Sequence, residues 1–143
     1  MMDLWRLLIR DMEGGCGKMI EGVIGVIIWT DDLDGMVEFY RETLGLTPHS
    51  VRPNFVAFKW GEMRLSIGTH DEVSGKTSEP YRIMVNLGVD DIQKVHGTLL
   101  GRGVKFDRDP EQEHWGGWVA TFRDPDGNML QLLEQPPDRR AAG

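Results

Sequence analysis

Apolar and polar positions along this chain run through two nearly matching cycles. Residues 21–30, EGVIGVIIWT, are short and β-branched, which predicts a buried strand. The period then changes. Met36, Val37, Phe39, Tyr40, Thr43 and Leu44 share one face at helical spacing. Asp32 suits the N-cap of that helix, Asp34 suits its positive end, and Gly45 suits its stop. Three more strands are expected in LTPHSV, NFVAFKW and MRLSIGT, with the turn before the last at Gly61. Residues 70–80, HDEVSGKTSEP, are polar and carry Gly and Pro, so they read as a linker.

The second cycle follows the same order. YRIMVNLGV (81–89) reads as a strand. DDIQKVHGTLLGRG reads as a helix capped by Asp90 or Asp91, with Ile92, Val95, Leu99 and Leu100 inward and Gly101 and Gly103 at its end. VKFDRD, GGWVATFR and GNMLQLLEQ are the remaining strands, and residues 137–143 form a polar tail. The chain is therefore a duplicated βαβββ unit, with modules about 21–69 and 81–135. Runs of strands with one helix per half predict an α+β fold, not a parallel α/β sheet. One domain spans 19–136, with Met19 as a natural start of the core. Residues 1–18 stand outside it as an N-terminal extension. Leu4, Leu7, Leu8 and Met12 would line one face of a short helix before GGCGK breaks the pattern, giving either a flexible arm or a dimer-contacting helix.

Composition narrows the function. The 143 residues are 40% hydrophobic and 27% charged, ordinary for a globular domain able to bury a core without staples. A net charge of −7 argues against nucleic-acid partners, which call for a basic patch, and favours cationic ligands at a distance. No run is long enough for a transmembrane helix, and the N-terminal stretch lacks a signal-peptide core, so no membrane partner is expected. Cys16 is the only cysteine, which excludes an intrachain disulfide and a cysteine metal cluster and fits the cytoplasm. No phosphate loop, dinucleotide fingerprint or Ser/His/Asp arrangement is present.

DDLDGMVEFYRETLGL (31–46), VDDI at the second helix and FRDPDGNMLQLLE at the end resemble the vicinal oxygen chelate superfamily, which includes glyoxalase I, bleomycin-resistance proteins and extradiol dioxygenases. The likeness covers about residues 20–136. It implies two βαβββ modules forming a curved mixed sheet around a cavity, and a homodimer with its pockets at or near the subunit interface. It also implies four metal-ligand positions, filled by His, Gln or Glu in the metal enzymes. Transferred one by one, these fall on Gly25, Ser66, Met84 and Gln131. A glycine, a hydroxyl, a thioether and an amide form a poor set for a hard divalent ion, so no metal and no cofactor are expected. His49, His70, His96 and His114 show no ligand-pair spacing.

Strand alternation places Val26, Ile28, Leu65, Ile67, Val85, Leu87, Leu130 and Leu132 under the helices. The opposite face would then supply a ligand-binding cavity with Ile27, Trp29, Arg64, Ser66, Met84, Asn86, Met129 and Gln131. That mixture of apolar surface and a few polar groups suits a small molecule. Trp60, Trp115 and Trp118 would join Trp29 as stacking surface or pack in the core, and Gln131 would bond Ser66 or Asn86. No catalytic acid or base is identified: Glu134 has the wrong parity, and Glu38 and Glu42 face solvent. The leading expectation is a metal-free binder of a small, cationic or aromatic molecule. The alternatives are a metal-dependent enzyme (glyoxalase-type lyase or dioxygenase) and a dimeric module with a vestigial cavity.

Overall fold

The computed structural model describes residues 19–140. The extension read at 1–18 and the last three residues of the tail lie outside the described residues. The first module holds β1 (Gly25–Thr30), α1 (Leu33–Glu38) continuing into a π-helical turn (Phe39–Thr43), β2 (Ser50–Arg52), β3 (Phe55–Trp60) and β4 (Met63–Thr69). The second holds β5 (Val85–Gly88), α2 (Ile92–Gly101), β6 (Phe106–Gln112), β7 (Trp118–Arg123) and β8 (Met129–Glu134), followed by α3 (Pro137–Arg140).

Each module makes a four-stranded mixed sheet, ordered β1-β4-β3-β2 and β5-β8-β7-β6. The first strand runs parallel to the last, and the others pair antiparallel. This is the expected α+β, two-module architecture. Within one chain, however, the two sheets stay separate and do not close around a cavity. The outer edges of β1 and β5 are left as sheet edges.

Local chemistry sets the helices as the sequence predicts. Asp32 Oδ1 accepts from the Gly35 N–H at 3.1 Å, and Asp91 Oδ1 accepts from Lys94 N–H at 3.2 Å. Gly45 follows the π-helical turn with φ +74, a left-handed conformation open to glycine. That turn is closed by a 2.9 Å bond from Leu44 N–H to the Phe39 carbonyl. Glu134 reaches the start of α2, where its Oε1 accepts from Ile92 N–H at 2.9 Å.

One core serves both modules. Met36 and Tyr40 of the α1 segment and Ile92 and Leu99 of α2 pack with Phe58, Leu65, Ile67, Phe122, Leu130 and Leu132 of the two sheets. Val26, Ile28, Val85 and Leu87 join it, so the parity assignment holds for the helix-facing side. Phe39 meets Phe122 across the module boundary, with ring centroids 6.3 Å apart.

Three boundaries differ from the pattern. β1 begins at Gly25, and residues 21–24 stand exposed ahead of it. β5 begins at Val85, because Arg82 N–H turns back to the Glu79 carbonyl after the linker and keeps 81–84 out of the ladder. The tail at 137–140 forms a helical turn, seated by a bond from Arg139 N–H to the Pro136 carbonyl.

Candidate functional site

The face of the sheets turned from the helices carries most of the expected site residues. In the first sheet Ile27 lies beside Ser66, and Gly25 beside Arg64. In the second, Asn86 lies beside Gln131. Met84 sits one residue ahead of β5, half-buried. Ile27 and Trp29 are 49% and 37% exposed, whereas Ser66 and Met129 are buried. Met129 is thus packed away from any ligand reaching this face.

Trp29 is the aromatic feature of this face. Its ring lies 6.1 Å from Phe55 and 5.2 Å, edge-on, from His70. Gly68 makes room for them: a Cβ there would fall 2.7 Å from Phe55 Cδ2 and 2.9 Å from Trp29 Cζ3. Among the described residues the other tryptophans do not join it. Trp60 stands half-exposed at the end of β3, Trp118 packs against the core, and Trp115 lies under the Arg139 guanidinium at 5.4 Å. Among the described residues no two tryptophan rings pair with each other, so they form no common stacking wall.

Gln131 is the polar centre of the second sheet. Its Nε2 donates to Asn86 Oδ1 at 3.0 Å, which fixes the amide to its neighbour on β5. The four positions that the resemblance assigns to metal ligands carry weak donors. Gly25 has no side chain, and a Cβ there would lie 3.0 Å from the Arg64 carbonyl oxygen. Ser66, Met84 and Gln131 add no charge. Among the described residues no group of three or more His, Cys, Asp or Glu is placed to hold a metal. His70 Nδ1 accepts from Glu72 N–H, His96 lies 3.2 Å from Asp109, and His49 and His114 are exposed. The donor set does not fit a catalytic divalent ion.

The seam between the modules holds an apolar pocket of about 510 Å³, bounded by β1, β4, β5 and α2. Of the eight expected cavity residues, Arg64 and Asn86 reach it. Ile27, Trp29, Ser66, Met84, Met129 and Gln131 do not line it.

Asp124 is absent from the expected site residues and enters the sequence reading only within the FRDPDGNMLQLLE resemblance. Asp124 is buried and accepts from the Tyr40 hydroxyl, Asn128 Nδ2 and the backbone N–H groups of Asp126 and Asn128. Burial pushes its carboxyl above the ordinary range, while the bonds from Asn128 and Tyr40 pull the other way. Burial, then the Asp124 charge, pushes the Tyr40 hydroxyl well up. An Asx-turn reading of Asp124 with Asn128 would have found this acceptor.

The family model of the Glyoxalase/Bleomycin resistance protein/Dioxygenase superfamily matches residues 22–132. The chain is 29% identical over 125 residues to the uncharacterized protein YraH of Bacillus subtilis (strain 168), covering 78% of this chain and 97% of that one. A solved superfamily member from Sphaerobacter thermophilus DSM 20745 is 29% identical with a TM-score of 0.63, over 82% of this chain and 100% of that one. The lactoylglutathione lyase of Agrobacterium tumefaciens shares the fold at 21% identity and a TM-score of 0.65, over 82% of this chain and 96% of that one.

Proposed function

We propose that this chain, which belongs to the glyoxalase/bleomycin resistance protein/dioxygenase superfamily, binds a small molecule without a metal, in a cavity completed by a second copy of itself. The observation carrying this reading is the set Gly25, Ser66, Met84 and Gln131 at the metal positions, with the Gln131 amide bonded to Asn86. What remains on that face is an aromatic and amide surface suited to binding.

The sheet edges support the second copy. β2 is three residues long and is followed by Pro53, and β6 carries register shifts and Pro110, so both are poor templates for pairing. The β1 side is the opposite. Val23 and Ile24 ahead of it are each 74% exposed, beside the half-exposed Ile27. Ile83, ahead of β5, is 75% exposed. Such apolar surface beside unblunted edges suits a homodimer contact.

The ligand class follows from Trp29, His70 and Phe55 on a chain of net charge −7: a planar aromatic molecule, favoured further if cationic. Cytoplasmic action goes with this reading, and the lone Cys16 suits it. Among the described residues no helix is long and apolar enough to cross a membrane.

Titration of tryptophan fluorescence with planar aromatic cations and their neutral isosteres tests the proposal. Saturable quenching is expected, unchanged by chelator and largely lost in Trp29→Phe. No response across the panel, or binding abolished by chelator, would overturn it.

A further inference from the structure

A second cleft has no residue of β1 or β5 in its lining. It has a volume of about 460 Å³ and sits where the end of α1 meets the α2–β6 and β7–β8 connections. Its floor is apolar: Phe39, Val104 and Phe106. Around that floor stand Arg102, Lys105 and Arg123. In a chain of net charge −7, three cations on one small cleft run against the overall balance.

Of the two carboxylates of the cleft, one neutralises Arg123 and the other is turned to Tyr40, so neither pairs with Arg102 or Lys105. Asp107 is committed to Arg123 at 3.2 Å. Asp124 is buried, and its oxygens are taken by Tyr40, Asn128 and backbone N–H groups. Arg102 is held in place by a 2.7 Å bond from Nη1 to the Thr43 carbonyl, which uses one of its five N–H donors. The module seam therefore presents an anchored guanidinium beside aromatic surface. That geometry matches a carboxylate attached to a flat apolar body.

We propose that this cleft is a second binding site, taking a small organic carboxylate with a planar apolar body. The carboxylate meets Arg102 and Lys105, and the body rests on Phe39 and Phe106. This site is separate from the sheet face that carries Trp29 and Gln131 and independent of the ligand proposed there.

The test is a titration of the full chain followed by amide chemical shifts, with sodium benzoate as the probe. Benzylammonium, inorganic phosphate and sodium chloride at matched ionic strength are the comparators. Benzoate is expected to give saturable shifts at residues 103–106, with none from benzylammonium. Arg102→Gln and Lys105→Gln should each weaken it about tenfold, the loss of one charge-assisted contact. Lys105→Gln carries the comparison if Arg102→Gln misfolds, and shifts elsewhere in the spectrum report folding. Absence of saturation would overturn the proposal. So would equal shifts from phosphate or chloride, marking an adventitious ion only, or benzoate binding unchanged in the folded variants.

Discussion

The Tyr40 hydroxyl donates a 2.8 Å hydrogen bond to Asp124 Oδ2, joining the helix of the first module to the last turn of the second across 84 positions of chain. Both residues are buried. The bond sits at the module seam, beside the Phe39–Phe122 contact. It satisfies an acceptor that water does not reach, which is where a hydrogen bond matters most.

Tyr40→Phe removes the donor and leaves the ring. The expected cost is about 1–3 kcal/mol of unfolding free energy, the range for leaving a buried polar group short of a partner. Denaturant titration of wild type and variant measures it. An unchanged midpoint would mean that Asn128 and the backbone N–H groups satisfy Asp124 alone.

The same pair gives a pH signature. Asp124 is raised in the folded state, so the folded chain holds that proton more tightly than the unfolded chain. Its contribution is full below the ordinary carboxylate value, about 4, and is lost as pH rises through the raised folded value. Tyr40 acts in the same direction in alkali, above an ordinary value of about 10. Stability of wild type minus that of Asp124→Asn should therefore fall with rising pH across the acid window. A difference that rises with pH would mean that the bonds from Asn128 and Tyr40 outweigh burial at Asp124.

Gly68→Ala tests the aromatic cluster. The new Cβ would collide with Phe55 and Trp29, forcing both rings to move at an expected cost of about 1–3 kcal/mol. The shift should appear as a changed tryptophan emission maximum with lower thermal stability. If neither changes, the rings are loosely held and Trp29 is a poor anchor for a ligand.

Much of this molecule was legible in its sequence. Asp32 and Asp91 cap the helices because a carboxylate ahead of an apolar helical stripe satisfies the first free N–H groups. Strand alternation placed Leu130 and Leu132 on the helix side and Gln131 on the other, and the bond to Asn86 followed from that parity. The rest depends on longer-range relations. Trp118 has core parity in β7 and Trp115 is covered by α3, facts that need the register. Closure of the two sheets is a property of how sheet edges meet, and no periodicity within one strand encodes it. Asp124 does not stand out in the sequence because its partner Tyr40 lies a module away.

Ile27→Asp tests the second copy. Ile27 is half-exposed on the edge strand β1, so the charge should cost the monomer little while disrupting an apolar contact. Light scattering is expected to give a dimer for wild type and a monomer for the variant at micromolar concentration. A monomeric wild type would remove the dimer from the proposal.

The central claim is binding without a metal, and metal content tests it most directly. Protein purified without chelator, and again after exposure to Zn, Ni, Fe and Mn salts with buffer exchange, should carry well under one metal ion per chain by elemental analysis, with ligand quenching intact. About one bound ion per chain, lost together with binding in chelator, would contradict it and restore a metal site at Ser66 and Gln131.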